Sequence, residues 1–353
     1  MICRNCSCMH MGYIKERPEE AYCLGVKHPF KIENLDGECT EYFDNDYDTI
    51  PNWANLDLKS DTYSAPRLII LVGLPGSGKS TFARRMVNTI PNIEWISSDQ
   101  IRKELYGDEA CQANPERVFE LMQQRTVDLL NEGYSVIYDA TSVTRKSRAG
   151  ILDKCPKHVQ KQCVIVWAPI DICIERDKLR DRSVGEKVID KMLRRFEAPF
   201  YDEGFTRIEV ELSDVFYNRR QYYVDLISAL DIPHDNPHHS ASVMEHCYLC
   251  GQGLLGETGE ATVTKAGYLH DIGKPYTKTF TNRKGEETDI AHYYDHQAVG
   301  AYLSYGITGH NITLAWLIST HMAPFINQKY YNSLPTCYKS WIDALHKADK
   351  AAH

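Results

Sequence analysis

Residues 68–81 read LIILVGLPGSGKST, and this stretch decides the fold of the region around it. The first five residues are apolar without alternation, which is typical of a strand buried on both faces of a parallel sheet. The run continues as Gly-x-x-x-x-Gly-Lys-Ser, a spacing whose glycines let successive N–H groups face a phosphate. The helical sequence FARRMV follows, so the pattern predicts a phosphate-binding loop between a strand and a helix. The residues assigned to nucleotide binding in this loop are Gly73, Pro75, Gly76, Ser77, Gly78, Lys79, Ser80 and Thr81.

Two side chains of this loop carry chemistry of their own. Lys79 is expected to reach the β- and γ-phosphates of ATP and to act in catalysis, and the Ser80 hydroxyl is expected to bind Mg²⁺. An ordinary glycine turn between a strand and a helix would give no reason for Lys79. The loop therefore predicts ATP as phosphate donor and Mg²⁺ as its metal.

The composition limits the class of protein. The chain has 353 residues, of which 43% are hydrophobic and 25% charged, as in ordinary globular domains. No apolar run approaches the roughly 20 residues of a membrane span, and the N-terminus has no signal-like apolar segment, so we expect a cytoplasmic protein without a membrane partner. The net charge of −8 argues against a general nucleic-acid coating protein but leaves room for a local basic groove.

The N-terminal residues are rich in cysteine. Five of the twelve cysteines lie within the first 39 residues, and a Cys-x-x-Cys followed by two separate cysteines can close a tetrahedral zinc site. Cys8 or His10 could replace one ligand, and a tail with unpaired thiols is the alternative. Residues 1–65 are therefore interpreted as a Cys-rich, zinc-binding module with an acidic linker. The preferred ligands of the structural Zn²⁺ are Cys3, Cys6, Cys23 and Cys39.

Strands and helices alternate in the next region, 66–230. Such alternation predicts an α/β domain with a parallel sheet and helices on both faces. The predicted strands are 68–72, 93–97, 135–139, 161–167 and 206–211. The predicted helices lie near 79–90, 115–131, 144–154 and 171–198.

Carboxylates follow two of these strands. Asp99 comes just after the second strand and Asp139 ends the third, and functional residues of such sheets gather at the carboxyl ends of the strands. A carboxylate that faces the phosphates there can act as a general base toward an attacking hydroxyl. A helix N-cap is the alternative role for a single aspartate at such a place, and spacing alone does not separate the two.

The motifs of this region resemble those of the polynucleotide 5′-kinase family, over about residues 66–212. They are GLPGSGKST, the Asp-x-x-Arg of Asp99 and Arg102, and the strand ending in Asp139 with a basic segment behind it. The resemblance implies that Asp99 is the general base, that Arg102 holds the acceptor 3′-phosphate and that Asp139 contacts the acceptor end. The residues assigned to acceptor binding are Asp99, Arg102, Asp139, Arg145 and Arg148.

An arginine-rich segment from Glu175 to Arg182 resembles the lid helix of the same family, which clamps the donor phosphates. Guanidinium groups neutralise the charge that spreads over the transferred phosphoryl group. Arg176 and Arg180 are four residues apart, so on a continuous helix they would share one face, and Arg180 is the best match to a catalytic arginine. A solvated helix carrying alternating charges is the alternative.

Histidines and aspartates recur along the last region, 231–353, on an apparently all-helical background. Imidazoles together with carboxylates suit a divalent transition metal with positions open to water and phosphate. The residues in question are His246, the pair His270-Asp271, His292, His296, His321 and Asp349. This ordered set resembles the HD phosphohydrolase superfamily, which implies a metal of the Mn, Ni, Fe or Zn type and a phosphate-neutralising role for Lys274. His292 could replace His296 as a ligand. Cys247 and Cys250 are interpreted as packing residues, and a second zinc site is the alternative. The implied ligands, for one or two metals, are His246, His270, Asp271, His296, His321 and Asp349.

The two resemblances together imply a bifunctional enzyme that heals nucleic-acid ends. One domain would phosphorylate a 5′-hydroxyl from ATP, and the other would remove a 3′-phosphate or a 2′,3′-cyclic phosphate. The partners are then single-stranded RNA or DNA ends, with a polynucleotide ligase as a candidate further partner. The alternatives are a nucleoside or nucleotide kinase fused to an HD nucleotidase, and a kinase regulated by a non-catalytic HD sensor domain.

Overall fold

The computed structural model describes residues 65–111, 113–212, 221–237, 241–257 and 260–352. Of residues 11–14, 17–23, 30–32 and 219–220 it describes the backbone alone. The chain divides into two compact units, Ile50–Val215 and a second one made of Met1–Thr49 and Phe216–His353. In the part of the chain that is described, no helix has the length and apolarity needed to cross a bilayer.

The N-terminal backbone forms a three-stranded antiparallel sheet in the order β1-β2-β3. Its strands are β1 Met11–Ile14, β2 Arg17–Cys23 and β3 Phe30–Ile32. Cys23 lies in β2, where the side chains are not described, and Cys3, Cys6 and Cys39 lie outside the described residues. The zinc site of this module therefore stays a prediction.

The first unit is built on a five-stranded parallel sheet in the order β5-β6-β4-β7-β8, which confirms the predicted α/β architecture. The strand that precedes the glycine loop, β4, is the central one. The strands are β4 Arg67–Val72, β5 Ile93–Ser97, β6 Ser135–Asp139, β7 Gln160–Trp167 and β8 Arg207–Leu212.

Burial of β4 on both faces explains why its sequence does not alternate. Residues 68–72 have no exposed surface, and Ile69 and Leu71 pack with Phe82, Ile137 and Val164 in one core cluster. Each such side chain contributes roughly 1.5–3 kcal/mol of transfer free energy when buried. The phosphate loop is therefore anchored on the most deeply buried strand of the sheet.

Helices connect the strands of this unit, and they differ from the prediction at two places, of which the first is Ser98–Tyr106, a helix that was not predicted. The single helix expected over 171–198 is wrong, because the chain leaves the helix after Lys178 and re-enters one at Glu186. Gly185, which precedes the second helix, has a φ of +85°. The helices are α1 Lys79–Val87, α2 Ser98–Tyr106, α3 Pro115–Asn131, α4 Arg145–Leu152, α5 Ile170–Lys178 and α6 Glu186–Leu193, followed by a 3-10 turn at Tyr201–Glu203.

The C-terminal part of the second unit is mainly helical, as predicted, and its described residues include one hairpin that the sequence analysis missed. Its helices are α7 Arg219–Ala229, α8 Val243–Gly253, α9 Ala261–Leu269, α10 Lys274–Thr277, α11 His296–Thr308, α12 Ile312–Thr320, α13 Ala323–Ile326, α14 Gln328–Ser333 and α15 Thr336–Ala351. The antiparallel hairpin consists of β9 Lys278–Thr281 and β10 Glu287–Tyr293. Asn282 closes its turn by accepting the N–H groups of Lys284 and Glu286 on its side-chain oxygen.

Candidate functional site

The carboxyl ends of three neighbouring strands in the first unit bring the predicted nucleotide and acceptor residues together. β4 pairs with β6, which also pairs with β5, and Asp139 lies opposite both Leu71 and Ser97 in these pairings. The phosphate loop follows β4 and Asp99 follows β5. A parallel sheet thus places all three sequence motifs at one edge.

The loop has room for glycine alone at two of its positions. A Cβ atom on Gly73 would lie 2.4 Å from the Val166 carbonyl oxygen. A Cβ atom on Gly76 would lie 2.2 Å from the Cys173 carbonyl oxygen, and the φ of Gly76 is +79°. The glycines are therefore required by close backbone approach as well as by the turn.

The side chains of the loop and of Asp139 form one polar cluster. Lys79 donates to the carbonyl oxygens of Gly73 and Leu74, at 3.0 and 2.8 Å. The Ser80 hydroxyl donates to Asp139 Oδ2 at 3.0 Å, and the indole N–H of Trp95 donates to the same oxygen at 3.1 Å. A hydroxyl and a carboxylate in contact beside a phosphate loop are suitable oxygen ligands for Mg²⁺, so the donor set fits the predicted metal.

Burial controls the charge of this cluster. Burial raises the pKa of Asp139, against the nearby Lys79 charge and the hydrogen bonds from Ser80 and Trp95. Burial likewise lowers the pKa of Lys79, against the attraction of Asp139. Each group thus offsets part of the desolvation cost of the other.

Asp99 lies in the first turn of α2 and is not its cap. The cap is Ser97, whose hydroxyl accepts the Asp99 N–H at 3.2 Å. The Asp99 carboxylate accepts from Arg102 at 2.8 Å, and Arg182 lies 3.1 Å from the same oxygen. The carboxylate is about one-third exposed, so its other oxygen faces accessible space. This geometry leaves Asp99 available for proton transfer.

One cavity of about 1260 Å³ joins these groups. The phosphate loop, Asp139, Asp99 and Arg102 all line it, together with the predicted lid arginines Arg176, Arg180 and Arg182. Arg176 lies in α5, and Arg180 lies two residues beyond the end of this helix at Lys178. They reach the same cavity from a helix and from the turn after it.

Asp177 builds that turn. Its buried carboxylate accepts from the Ser183 hydroxyl at 2.7 Å and from the N–H groups of Val184 and Gly185 at 3.2 and 2.9 Å. Burial by itself would raise the pKa of Asp177, but these hydrogen bonds and the nearby Arg180 hold it below its usual value. The segment that carries Arg180 and Arg182 is therefore held by a single carboxylate.

The structure does not bring Arg145 and Arg148 to this cavity. Arg148 is fully buried, donates to both carboxylate oxygens of Glu203 at 2.7 and 2.8 Å, and donates to the Ser142 carbonyl at 3.0 Å. Arg145 makes a two-pronged pair with Asp202, with both distances 2.9 Å. Their guanidinium groups hold α4 against the turn at Tyr201–Glu203, and neither residue lines the cavity.

The second unit gathers the six predicted metal ligands into one buried cluster. Its members come from the ends or interiors of α8, α9, α11, α12 and α15. Two groups of three meet the geometry of a metal site, one made of His246, His270 and Asp271 and the other of Asp271, His296 and His321. Asp349 Oδ1 lies 2.9 Å from His246 Nε2 and 3.4 Å from His270 Nε2. Asp271 is common to both groups.

Hydrogen bonds orient all four imidazoles in the same way. Each Nδ1 lies 2.8–3.0 Å from a backbone carbonyl oxygen, of Ala352, Gly267, Tyr293 and Ile318 in turn. A carbonyl oxygen can only accept, so each Nδ1 carries a proton and each ring directs its Nε2 inward.

The inward-facing nitrogens meet in pairs. Nε2 of His246 lies 3.2 Å from that of His270, and Nε2 of His296 lies 3.1 Å from that of His321. Two lone pairs at such distances repel each other unless a cation is shared between them. The donor set of imidazole nitrogens and carboxylate oxygens therefore fits one or two divalent transition metals.

The charges of most of the cluster agree with this fit, whereas the pKa of His270 is held well above its usual value, since the lowering effect of burial is outweighed by Asp271 and Cys250. Burial lowers the pKa of His321 to about 3, and the neighbouring His296 and His270 act in the same direction. Although burial alone would raise the pKa of Asp271, His270 and Lys274 hold it well below its usual value. A neutral imidazole and an ionised carboxylate are the forms that bind a metal.

Lys274 lies beside the cluster as predicted. Its ammonium lies 2.6 Å from Asp271 Oδ2, 3.2 Å from His234 Nε2 and 5.3 Å from the centre of the Tyr293 ring. His234 is buried, and its Nδ1 lies 2.8 Å from the Ala241 carbonyl oxygen, which leaves Nε2 to accept from Lys274. Sequence reasoning placed no role on His234, because nothing in the segment IPHDNPHH distinguishes it from the neighbouring histidines.

The sequence left open whether His292 is a metal ligand and whether Cys247 and Cys250 form a zinc site, and the positions of these residues bear on both questions. His292 lies in β10, where its Nε2 contacts the Thr288 hydroxyl at 3.2 Å, and it is outside the metal cluster. Cys247 and Cys250 are buried free thiols, and burial raises the pKa of Cys247 to about 12. Their positions agree with packing.

Two family models match the chain at these sites. A model described as an AAA domain matches residues 68–199, and one described as an HD domain matches residues 238–348. The chain combines an AAA domain with an HD domain. The AAA match contains the phosphate loop and Asp99, and the HD match contains five of the six clustered ligands, with Asp349 directly after its last residue.

Relatives of known name match part of the chain. The transcription factor bHLH140 of Arabidopsis thaliana is 29% identical over 156 residues, which are 42% of this chain and 16% of that protein. The L-seryl-tRNA(Sec) kinase of Methanococcus maripaludis is 27% identical over 148 residues, which are 37% of this chain and 53% of that kinase. The solved Pnkp1/Rnl/Hen1 RNA repair complex includes a chain with 29% identity and a TM-score of 0.34, over 38% of this chain and 45% of that one. The match thus spans about half or less of each of these relatives.

Proposed function

We propose that the chain is a bifunctional enzyme that heals nucleic-acid ends. The AAA domain would phosphorylate 5′-hydroxyl ends from ATP, and the HD domain would remove a 3′-phosphate or 2′,3′-cyclic phosphate. The observation that carries the kinase half is the shared cavity, in which the phosphate loop and the Asp99–Arg102 pair line the same space.

The roles within the kinase half follow from where the side chains lie. Asp99 accepts the proton of the attacking 5′-hydroxyl, while Arg102, which holds it at 2.8 Å, keeps the carboxylate oriented and offers donors to an acceptor phosphate. Lys79, Arg176 and Arg180 neutralise the charge of the transferred phosphoryl group. Ser80 and Asp139 would hold Mg²⁺, which shields the β- and γ-oxygens when bound.

The HD half rests on the buried cluster around Asp271. Its imidazoles and carboxylates would hold a divalent transition metal of the Mn, Ni, Fe or Zn type, which activates water and polarises a phosphate when bound. Lys274, at 2.6 Å from Asp271, lies where its charge can neutralise a scissile phosphate. The resulting 5′-phosphate and 3′-hydroxyl are the ends that a polynucleotide ligase joins, so a ligase is the proposed downstream partner.

The kinase half is tested by end-labelling. With γ-labelled ATP and Mg²⁺, a 5′-hydroxyl oligonucleotide should become labelled, and Asp99→Ala should lower the rate by about 10²–10⁴-fold, the usual contribution of a general base. Matched RNA and DNA acceptors report the preferred polymer. Labelling of free nucleosides without labelling of oligonucleotides would show a small-molecule kinase instead.

The HD half has its own assay. RNA ending in a 3′-phosphate or 2′,3′-cyclic phosphate should lose it in the presence of Mn²⁺ or Ni²⁺, and Asp271→Ala should stop this reaction while end-labelling continues. If the wild-type protein, loaded with each of these metals, leaves both ends intact, the HD half of the proposal is refuted and a sensor role becomes the better interpretation.

A further inference from the structure

One stripe of helix α6 faces the kinase cavity. Its members recur at the i, i+3, i+4 and i+7 spacing that places side chains on a single helix face. These residues, which all line the cavity, are Val188, Lys191, Met192 and Arg195, the last in the turn after the helix. The opposite stripe carries the buried Ile189 and Leu193 and fixes the helix on the core. The two cations are thus directed at the cavity by the packing of their own helix.

Charge pairing separates these two cations, together with Arg176 of the proposed donor site, from other arginines of the cavity. Arg102 and Arg182 share Asp99, and Arg85 pairs with Glu211. Within the described ranges, by contrast, no carboxylate contacts the side chain of Lys191 or Arg195. Since a cation on a cavity wall with no protein counterion has all its donors available, this wall suits an anionic ligand.

Both ends of the stripe are tied to the site. At one end, Arg182 of the preceding turn contacts Asp99 at 3.1 Å. At the other, the N–H of Glu197 donates to the Val143 carbonyl at 2.8 Å, and the Glu197 carboxylate accepts the N–H of Arg145 at 2.8 Å. The stripe therefore runs from the side of the proposed general base toward the loop after β6. At the rise of a helix, the four positions from Lys191 to Arg195, of which the last two follow the end of α6 at Leu193, span about 6 Å.

We propose that Lys191 and Arg195 bind internucleotide phosphates of the acceptor strand, just inside its 5′ end. This inference rests on the proposed kinase function and gives the reason a polymer would be preferred. Arg102, beside Asp99, would bind the phosphate next to the reacting hydroxyl. Lys191 and Arg195 of the α6 stripe would bind the phosphates that follow it along the strand. The α6 stripe would thus have the acceptor-binding role that the sequence assigned to Arg145 and Arg148, whose guanidinium groups pair with Asp202 and Glu203.

The test compares two acceptors in the full-length protein. One is a 5′-hydroxyl RNA decamer, and the other is a nucleoside 3′-monophosphate, which has no internucleotide phosphate. The variants are Lys191→Ala, Arg195→Ala and their combination. The matched control is Arg194→Ala, because Arg194 pairs with Asp190 at 2.8 Å and does not line the cavity.

The expected result is a KM effect confined to the polymer. Each substitution should raise KM for the decamer about tenfold, the order of one lost charge-assisted hydrogen bond, with kcat unchanged. KM for the nucleoside 3′-monophosphate and for ATP should stay at the wild-type value, which also shows that the fold is intact. The slope of log KM against log salt for the decamer should fall by roughly 0.7 for each phosphate contact removed.

Other outcomes are equally decisive. Equal KM increases for both acceptors would place the cations on a phosphate common to both and overturn the inference. Unchanged kinetics for the decamer, or the same change in Arg194→Ala, would overturn it as well. If the wild-type protein phosphorylates the nucleoside 3′-monophosphate and never the decamer, the polynucleotide function itself fails, a result that is distinct from the loss of the α6 site alone.

Discussion

Replacing Arg148 by methionine separates a structural role from an acceptor-binding role. Arg148 is fully buried, and its two-pronged pair with Glu203, itself 4% exposed, holds α4 against the turn at Tyr201–Glu203. Removing one partner of a buried ion pair leaves the other charge without compensation, which usually costs about 3–5 kcal/mol. In the variant, the Glu203 carboxylate still accepts the Phe200 N–H at 3.1 Å and still has Arg145 at 3.5 Å. We therefore expect a loss of stability in the lower part of that range.

The assay is thermal unfolding of the full-length protein, followed with end-labelling at a temperature where each variant is still folded. A loss of about 3 kcal/mol should lower the melting temperature of a unit of this size by roughly 6–12 °C. The double variant Arg148→Met with Glu203→Gln should recover part of this loss, because it removes the uncompensated charge and keeps an acceptor for Phe200. Lys146→Met, an exposed neighbour in the same basic segment, is the matched control.

The reasoning is refuted by the opposite pattern. If Arg148→Met melts like the wild type and loses phosphorylation of oligonucleotides, Arg148 binds the acceptor and the buried pair has no structural importance. The expected result, a folded variant that keeps its activity and melts at a lower temperature, places the acceptor site elsewhere in the cavity.

Three further predictions concern single side chains of the two sites. Asp271→Asn should lower the amount of Mn²⁺ bound by the protein, measured by elemental analysis after dialysis, while end-labelling continues; unchanged metal content would contradict the shared-ligand geometry. Asp177→Asn should loosen the turn at Ser183 and raise KM for ATP several-fold. Because the pKa of Asp177 is lowered in the folded protein, its carboxylate stabilises the fold fully above the ordinary aspartate pKa of about 3.9, and this stabilisation is lost as pH falls through the lowered pKa. His234→Leu should lower kcat of the HD reaction about tenfold at unchanged metal content, because Lys274 loses its acceptor, and an unaffected kcat would show that Asp271 alone holds the lysine.

Local patterns were sufficient for the elements that carry the site. An unbroken apolar run, glycines at fixed spacing and a lysine are properties of one short segment, so the loop from Gly73 to Ser80 and its buried strand were predictable. The HD ligands were found through their order along the chain, although the sequence could not choose between His292 and His296. That choice depends on which side chain the fold buries beside Asp271.

Partners distant in sequence were beyond the reach of such patterns. Arg148 meets Glu203 across 55 residues, and Ser80 meets Asp139 across 59. The sequence therefore assigned a buried arginine to the acceptor and missed the role of Trp95 on Asp139. The break after Lys178 was missed as well, because it depends on Asp177 accepting hydrogen bonds from a turn that only forms when the segment packs.

The sequence by itself determined that a phosphate loop on a parallel sheet is followed by a helical domain with an ordered set of metal ligands. Both follow from periodicity and from residue types at short, fixed spacing. Only the tertiary structure decided which cationic side chains pair with carboxylates and which face the cavity. Such pairing depends on contacts between segments that are far apart in the sequence. On that basis Arg148 belongs to the scaffold, whereas Lys191 and Arg195 line the cavity.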